Sequence, residues 1–158
     1  MLYTRNFGDI EVPVDKVICF KDGIPGLDCM KRCFIVKVEE TLPFYWLQSV
    51  EDGDTALPVI NPLLIDSEYS PAVEDSIWDE LELDREEDLL VVNVSVIPQD
   101  IKRMTANMAA PILINIVKNI GRQAVLENSA YPMRLPIYDC VYMLMKGEVA
   151  SAGSDKKD

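Results

Sequence analysis

Carboxylates and thiols would have to carry most polar chemistry in this chain, because its 158 residues include no histidine. That absence removes the commonest general base, the commonest zinc ligand and the usual pH switch together. A serine or cysteine nucleophile would need a rarer lysine or amine partner, and no segment signals one. Cys29 and Cys33 form C-x3-C, half of a zinc spacing, but Cys19 and Cys140 are scattered and nothing completes the set. The four thiols read as small core hydrophobes or reduced groups. Acidic residues are abundant, yet a run such as Asp84 to Asp88 is the pattern of a solvated face, and the D-x-D-x-D-G spacing of a calcium loop is absent. GIPGLD, Gly23 to Asp28, has two glycines without the lysine or helix start of a phosphate cradle, so a tight turn is expected. No catalytic, cofactor or metal site is expected.

The elements that would position any functional group are mostly strands. CFIVKVEE alternates, with Phe34, Val36 and Val38 on one face and Lys37 and Glu39 on the other. LPFYWLQSV and TALPVI are rich in β-favouring residues and flank EDGD, Glu51 to Asp54, which predicts a hairpin. LLVVNVSVI groups Val92, Val94 and Val96, with Asn93 and Ser95 interrupting the opposite face; a strand fully covered on one side only is expected. ANMAAPILINIV has a helical stripe, but Pro111 removes a donor and disfavours helix at Ala110. From Ile112 it reads as a strand, turning at KNIGR into a second one. Only Glu74 to Leu89 looks helical, with acids at its start where the helix dipole favours them.

Short strands punctuated by Gly, Pro and acidic turns predict an all-β, mainly antiparallel, β-barrel-like domain over 1–146 with one or two short helices. The remainder, 147–158, is small and polar and reads as a disordered tail. With 49% hydrophobic residues a core is available without metal or disulfide. The N-terminus lacks the basic and apolar regions of a secretory signal, and no apolar run reaches membrane-spanning length, so a cytoplasmic protein is expected.

Twenty-seven acidic against fifteen basic residues give a formal charge of −12. From Asp66 to Asp88 eleven acids stand against the single basic residue Arg85. Such a field repels nucleic-acid backbones and speeds encounter with basic proteins, or simply maintains solubility. Asn107, Asn115 and Gln123 interrupt apolar sequence; Asn115 reads as satisfying backbone groups at a strand end, while Asn107 and Gln123 fit either that role or surface recognition.

Four segments in register, GIPGLD, LPFYWLQSVEDGD, TANMAAPILIN and GRQAVLENSAYPMRLPI, together resemble the flagellar assembly factor family FliW over most of residues 1–137. Leu27-Asp28 and Asn61-Pro62 depart from the family's usual residues at those places. The resemblance implies a β-barrel-like protein without enzymatic activity or cofactor. It binds the RNA-binding translational repressor CsrA and, alternatively, flagellin, without itself binding nucleic acid or membrane. Partner switching would then set flagellin translation; a flagellin chaperone without regulatory role, or a small-ligand barrel, are the alternatives. Motif positions and the acidic segment nominate Pro25, Gly26, Gln48, Ser49, Glu74, Asp75, Asp79, Glu80, Asn107 and Gln123 as partner-binding candidates.

Overall fold

The computed structural model describes residues 1–126 and 129–154, with side chains in the last helix described as far as Gly147. A hairpin of β1 (Leu2–Thr4) and β2 (Gly8–Ile10) precedes the main sheet. There β3 (Ile18–Phe20), β4 (Arg32–Val36), β5 (Tyr45–Ser49), β6 (Ala56–Ile60) and β7 (Leu89–Val96) pair in succession, each antiparallel to the last. β7 then pairs with β9 (Ile112–Asn115), β9 with β10 (Ile120–Gln123), and β10 returns to β3 in the barrel's one parallel pairing. These seven strands close a barrel. The later part of β7 also carries β8 (Thr105–Ala106), to which β11 (Leu135–Pro136) is added.

The register explains why these residues close around a core. Ile35, Leu47 and Leu57 stand opposite one another on β4, β5 and β6, as do Val92 and Ile112 on β7 and β9. All five pack in or against one cluster with Ile18, Phe20, Cys33 and Ile114. Burying each large aliphatic side chain is worth roughly 1.5–3 kcal/mol, so the barrel interior is a packed core. Gly121 is fitted to the parallel seam, since a Cβ there would lie 2.5 Å from the Phe20 ring.

Two helices cover the outside. α1 (Asp75–Leu81) lays Ile77 and Leu81 on Leu113 and Ala124, which face away from the barrel interior. α2 (Tyr138–Ser154) brings Val141 to a second outer cluster with Met104, Ala106, Met108 and Tyr69. On another side Phe7 sets its ring edge against Trp46, centroids 5.7 Å apart, and Arg5 donates its amide to the Gly53 carbonyl.

The barrel, the hairpin of β5 and β6 and the strand pair after Pro111 agree with the sequence pattern. Along β4, alternation defines two faces without saying which is inside, and Cys33 and Ile35 take the barrel core. Three details differ. β7 is covered on both sides: Asn93 and Ser95 are 0% and 2% exposed, whereas Val96 is 61% exposed. The helical segment from Glu74 ends at Leu81, where Glu82 takes a left-handed φ of 55°, and resumes only as a 3-10 turn at Glu86–Asp88. α2 has no counterpart in the strand reading and runs to Ser154; residues 155–158 lie outside those described.

Asn93 stands where β7 exchanges one neighbour for another. Val92 is the last β7 residue paired with β9, and Ser95 the first paired with β8. Between them, the Asn93 amide donates to the Asn107 carbonyl at 2.9 Å and to the Tyr69 hydroxyl at 3.2 Å, and that hydroxyl donates to the Met108 carbonyl at 2.6 Å. Asn93→Ala should therefore cost about 1–3 kcal/mol, the desolvation penalty of buried groups left short of partners. A lowered urea midpoint with unchanged far-UV circular dichroism would show it; an unchanged midpoint would contradict it.

Candidate functional site

The turn GIPGLD forms one wall of a groove. Leu27 donates its amide to the Ile24 carbonyl at 2.7 Å, and Gly26 has a φ of 83°. Proline at the second position and a positive-φ glycine at the third define a type II turn, which leaves Pro25 and Gly26 exposed. Ile24 is held in the barrel core, so the turn is anchored at its base.

The opposite wall begins at Asn107. Its amide donates to the Val94 carbonyl at 2.9 Å, and its side-chain oxygen accepts from Ala109 at 3.0 Å, an Asx-type turn leading into the buried Pro111. Gln123 donates from its side-chain amide to the Ala110 carbonyl at 3.0 Å, fastening the same loop to β10. Pro25, Asn107 and Gln123, distant in sequence, thus line one groove of about 610 Å³.

The floor continues the barrel core through Leu57 and Val94, and the rim adds Val96, Val125 and Met133 at 61%, 62% and 66% exposure. Among the described residues Arg134 is the single charged side chain lining it, and no described carboxylate does. Such walls can cover an apolar segment and offer a few amides for orientation, but they hold no paired acid and base. Val96, Val125, Met133 and Arg134 were not among the sequence candidates. For Met133 and Arg134 the one local signal is YPMRLP, where prolines bracket Met133, Arg134 and Leu135; Val96 and Val125 have none.

The sequence model described as FliW protein matches residues 1–137, which hold the whole barrel and all of these groove residues. The chain belongs to the FliW family. The flagellar assembly factor FliW of Caldicellulosiruptor saccharolyticus is 41% identical over 136 residues, 86% of this chain and 89% of that protein. The Thermotoga maritima protein of the same name is 37% identical over 135 residues, covering 85% and 91%. A crystal structure of the flagellar assembly factor FliW superposes with a TM-score of 0.81 at 28% identity, covering 87% of this chain and 96% of that one. The relatives are thus named for assembly, not for a reaction. α2 lies entirely beyond the FliW match. Among the described residues no helix is long and apolar enough to cross a membrane.

The remaining candidates of this FliW-family chain lie elsewhere. Gln48 and Ser49 are both 0% exposed. The Gln48 amide reaches the carbonyls of Ser49, Gly53 and Thr55 at 3.0, 3.3 and 3.2 Å, while the Ser49 hydroxyl donates to Cys29 and accepts from Asp52. Both fold the 49–55 loop back on the barrel. In that loop the Glu51 carboxyl, raised by burial, is drawn below its ordinary value by hydrogen bonds from Arg32. Asn115, 1% exposed, donates to the Leu81 and Glu82 carbonyls and accepts from Val117 and Lys118, so it ties the end of α1 to the turn after β9.

Asp75, Asp79 and Glu80 occupy α1, and Glu74 immediately precedes it, across β10 from the groove. Arg122 turns to Glu80, with contacts of 2.8 and 3.1 Å, whereas its neighbour Gln123 lines the groove. Lys118 lies within 4 Å of Glu82 and Asp84. Glu74, Asp75 and Asp79 are exposed and have no cation partner among the described residues.

The C-x3-C pair is split between environments. Cys33 sits in the barrel core at 0% exposure, whereas Cys29 is half-buried and Cys19 exposed. Burial, assisted by the negative charge of Glu51, pushes the Cys33 thiol up to about 12. Among the described residues no cluster of three or more Cys, Asp or Glu is placed to hold a metal ion. At pH 8 an alkylating reagent should therefore modify Cys19 in the native protein and leave Cys33 intact until denaturant is added, because only the thiolate reacts. Mass-spectrometric mapping checks this, and native labelling of Cys33 would contradict it.

Proposed function

We propose that this FliW-family chain is a cytoplasmic protein-binding regulator that captures a CsrA-type RNA-binding repressor and is displaced from it by flagellin. When flagellin accumulates it occupies this protein, and the free repressor shuts down flagellin translation. When flagellin is exported, the repressor is captured and translation resumes. The observation carrying the reading is the membership itself, with relatives named flagellar assembly factors across most of their length. The distribution of charge supports it: Glu74, Asp75 and Asp79 form an exposed edge at and before the start of α1 that no cation neutralises among the described residues. Such a field draws in a basic protein and opposes the approach of RNA phosphates to the complex.

Mixing the purified protein with a CsrA-type repressor and flagellin, followed by size-exclusion chromatography with light scattering, should give two mutually exclusive binary complexes. A stable ternary complex would overturn partner switching. The flagellin-chaperone alternative predicts no effect of this protein on a repressor–RNA gel shift, whereas the proposed reading predicts release of the RNA.

Replacing Glu74 by Gln and Asp75 and Asp79 by Asn should slow association with the repressor by roughly tenfold at low ionic strength, with the rates converging as salt screens the field. Stopped-flow rates across a salt series measure this. An on-rate that the triple substitution leaves unchanged at low salt would contradict steering by α1.

A further inference from the structure

We infer that the groove between the Ile24–Leu27 turn and the Asn107–Ala110 loop docks an apolar segment of flagellin that carries a carboxylate, and that Arg134 receives that carboxylate. This inference rests on the partner-switching reading and assigns one partner to one surface. Val96, Val125 and Met133 each leave more than three-fifths of their surface to solvent along a single groove whose floor is already continuous with the core. Contiguous apolar exposure of this kind marks a docking surface more than scattered single residues do.

Charge selects the occupant. Arg134 is exposed and, among the described residues, forms no ion pair and is the only charge lining the groove, on a chain of net −12. A basic repressor is repelled there and attracted to α1, on the other face of β10. A second copy of this chain brings another −12, which opposes self-association at long range. A subunit destined for a polymer fits instead, because before assembly it exposes the apolar segments that its neighbours later cover. Asn107 spends its side-chain oxygen on Ala109, and Gln123 its amide on Ala110. The amide of the first and the oxygen of the second have no partner among the described residues, which leaves a donor and an acceptor for the backbone of a docked segment.

The test uses the full chain with purified flagellin and, separately, the CsrA-type repressor, in isothermal titration calorimetry. Arg134→Glu and Val125→Asp should each weaken flagellin binding by at least about tenfold, as loss of a buried anchor does. Repressor affinity should stay within about twofold, and the thermal midpoints should match the parent because both side chains are exposed. Arg134→Lys, which keeps the charge but not the fork, should fall between parent and Arg134→Glu. Unchanged flagellin affinity in both Arg134→Glu and Val125→Asp, or equal losses for the two partners, overturns the assignment of the groove. Failure of the unsubstituted protein to bind flagellin overturns the partner-switching reading and the inference with it, so the two failures are distinguishable.

Discussion

Strand β7 pairs with β6 along one edge and with two successive strands, β9 and then β8, along the other, and Asn93 occupies the changeover. A strand that changes partner within a protein interior leaves backbone groups at the fork without a ladder. The Asn93 amide fills that gap through the Asn107 carbonyl, and the Tyr69 hydroxyl extends the repair to Met108. The consequence is larger than one hydrogen bond. Because β7 can leave the barrel there, its inward face runs out through Val94 to Val96, and the apolar lining of the barrel opens into the groove. An apolar residue at 93 would satisfy the outer core equally well and leave the fork unrepaired.

This explains how much was legible in the sequence. Local chemistry was readable: Pro25 and Gly26 announce their turn, EDGD its hairpin, and Pro111 the break that turns an amphipathic stripe into a strand. The fate of Asn115 was readable too, since a lone asparagine ending an apolar strand has few uses besides capping backbone, and here it caps α1 as well as the turn. Asn93 and Ser95 misled because polar residues alternating with valines resemble a solvated face. Their burial depends on Tyr69, β8 and the 107–110 loop, brought to β7 from distant parts of the chain. Gln48 and Ser49, nominated by their motif, are both buried, where a hairpin loop folded back on the barrel needs internal donors.

The groove was the least legible feature. Its walls come from the turn after β3, the strands β6 and β7, the loop before β9 and the segment after β10, so no window of sequence contains it. Val125 and Met133 would pass singly as ordinary exposed hydrophobes; only their convergence on a common groove with Arg134 distinguishes them. The acidic segment was legible in composition, but not in its division. Arg122 and Lys118 neutralise its inner members against the β9–β10 turn and strand, leaving Glu74, Asp75 and Asp79 as the outward field.

Under the proposed reading, that division bears on how two partners on different surfaces could exclude one another. β10 carries Arg122 toward α1 and Gln123 toward the groove, and its neighbour β9 carries Leu113 under α1 and Asn115 to the end of that helix. The two surfaces therefore meet on opposite faces of β10. A packed core has little free volume to absorb displacement, so a segment wedged between the Ile24–Leu27 turn and the Asn107–Ala110 loop acts on β10 through Gln123, and α1 is the element braced against the other side. Direct overlap is not required for exclusion under the proposed reading; it suffices that the two partners favour different settings of β10 against α1, because a ligand shifts such an equilibrium by its difference in affinity for the two settings. The Arg122–Glu80 pair, bonded at 2.8 and 3.1 Å across that contact, is the place where the difference would be felt first.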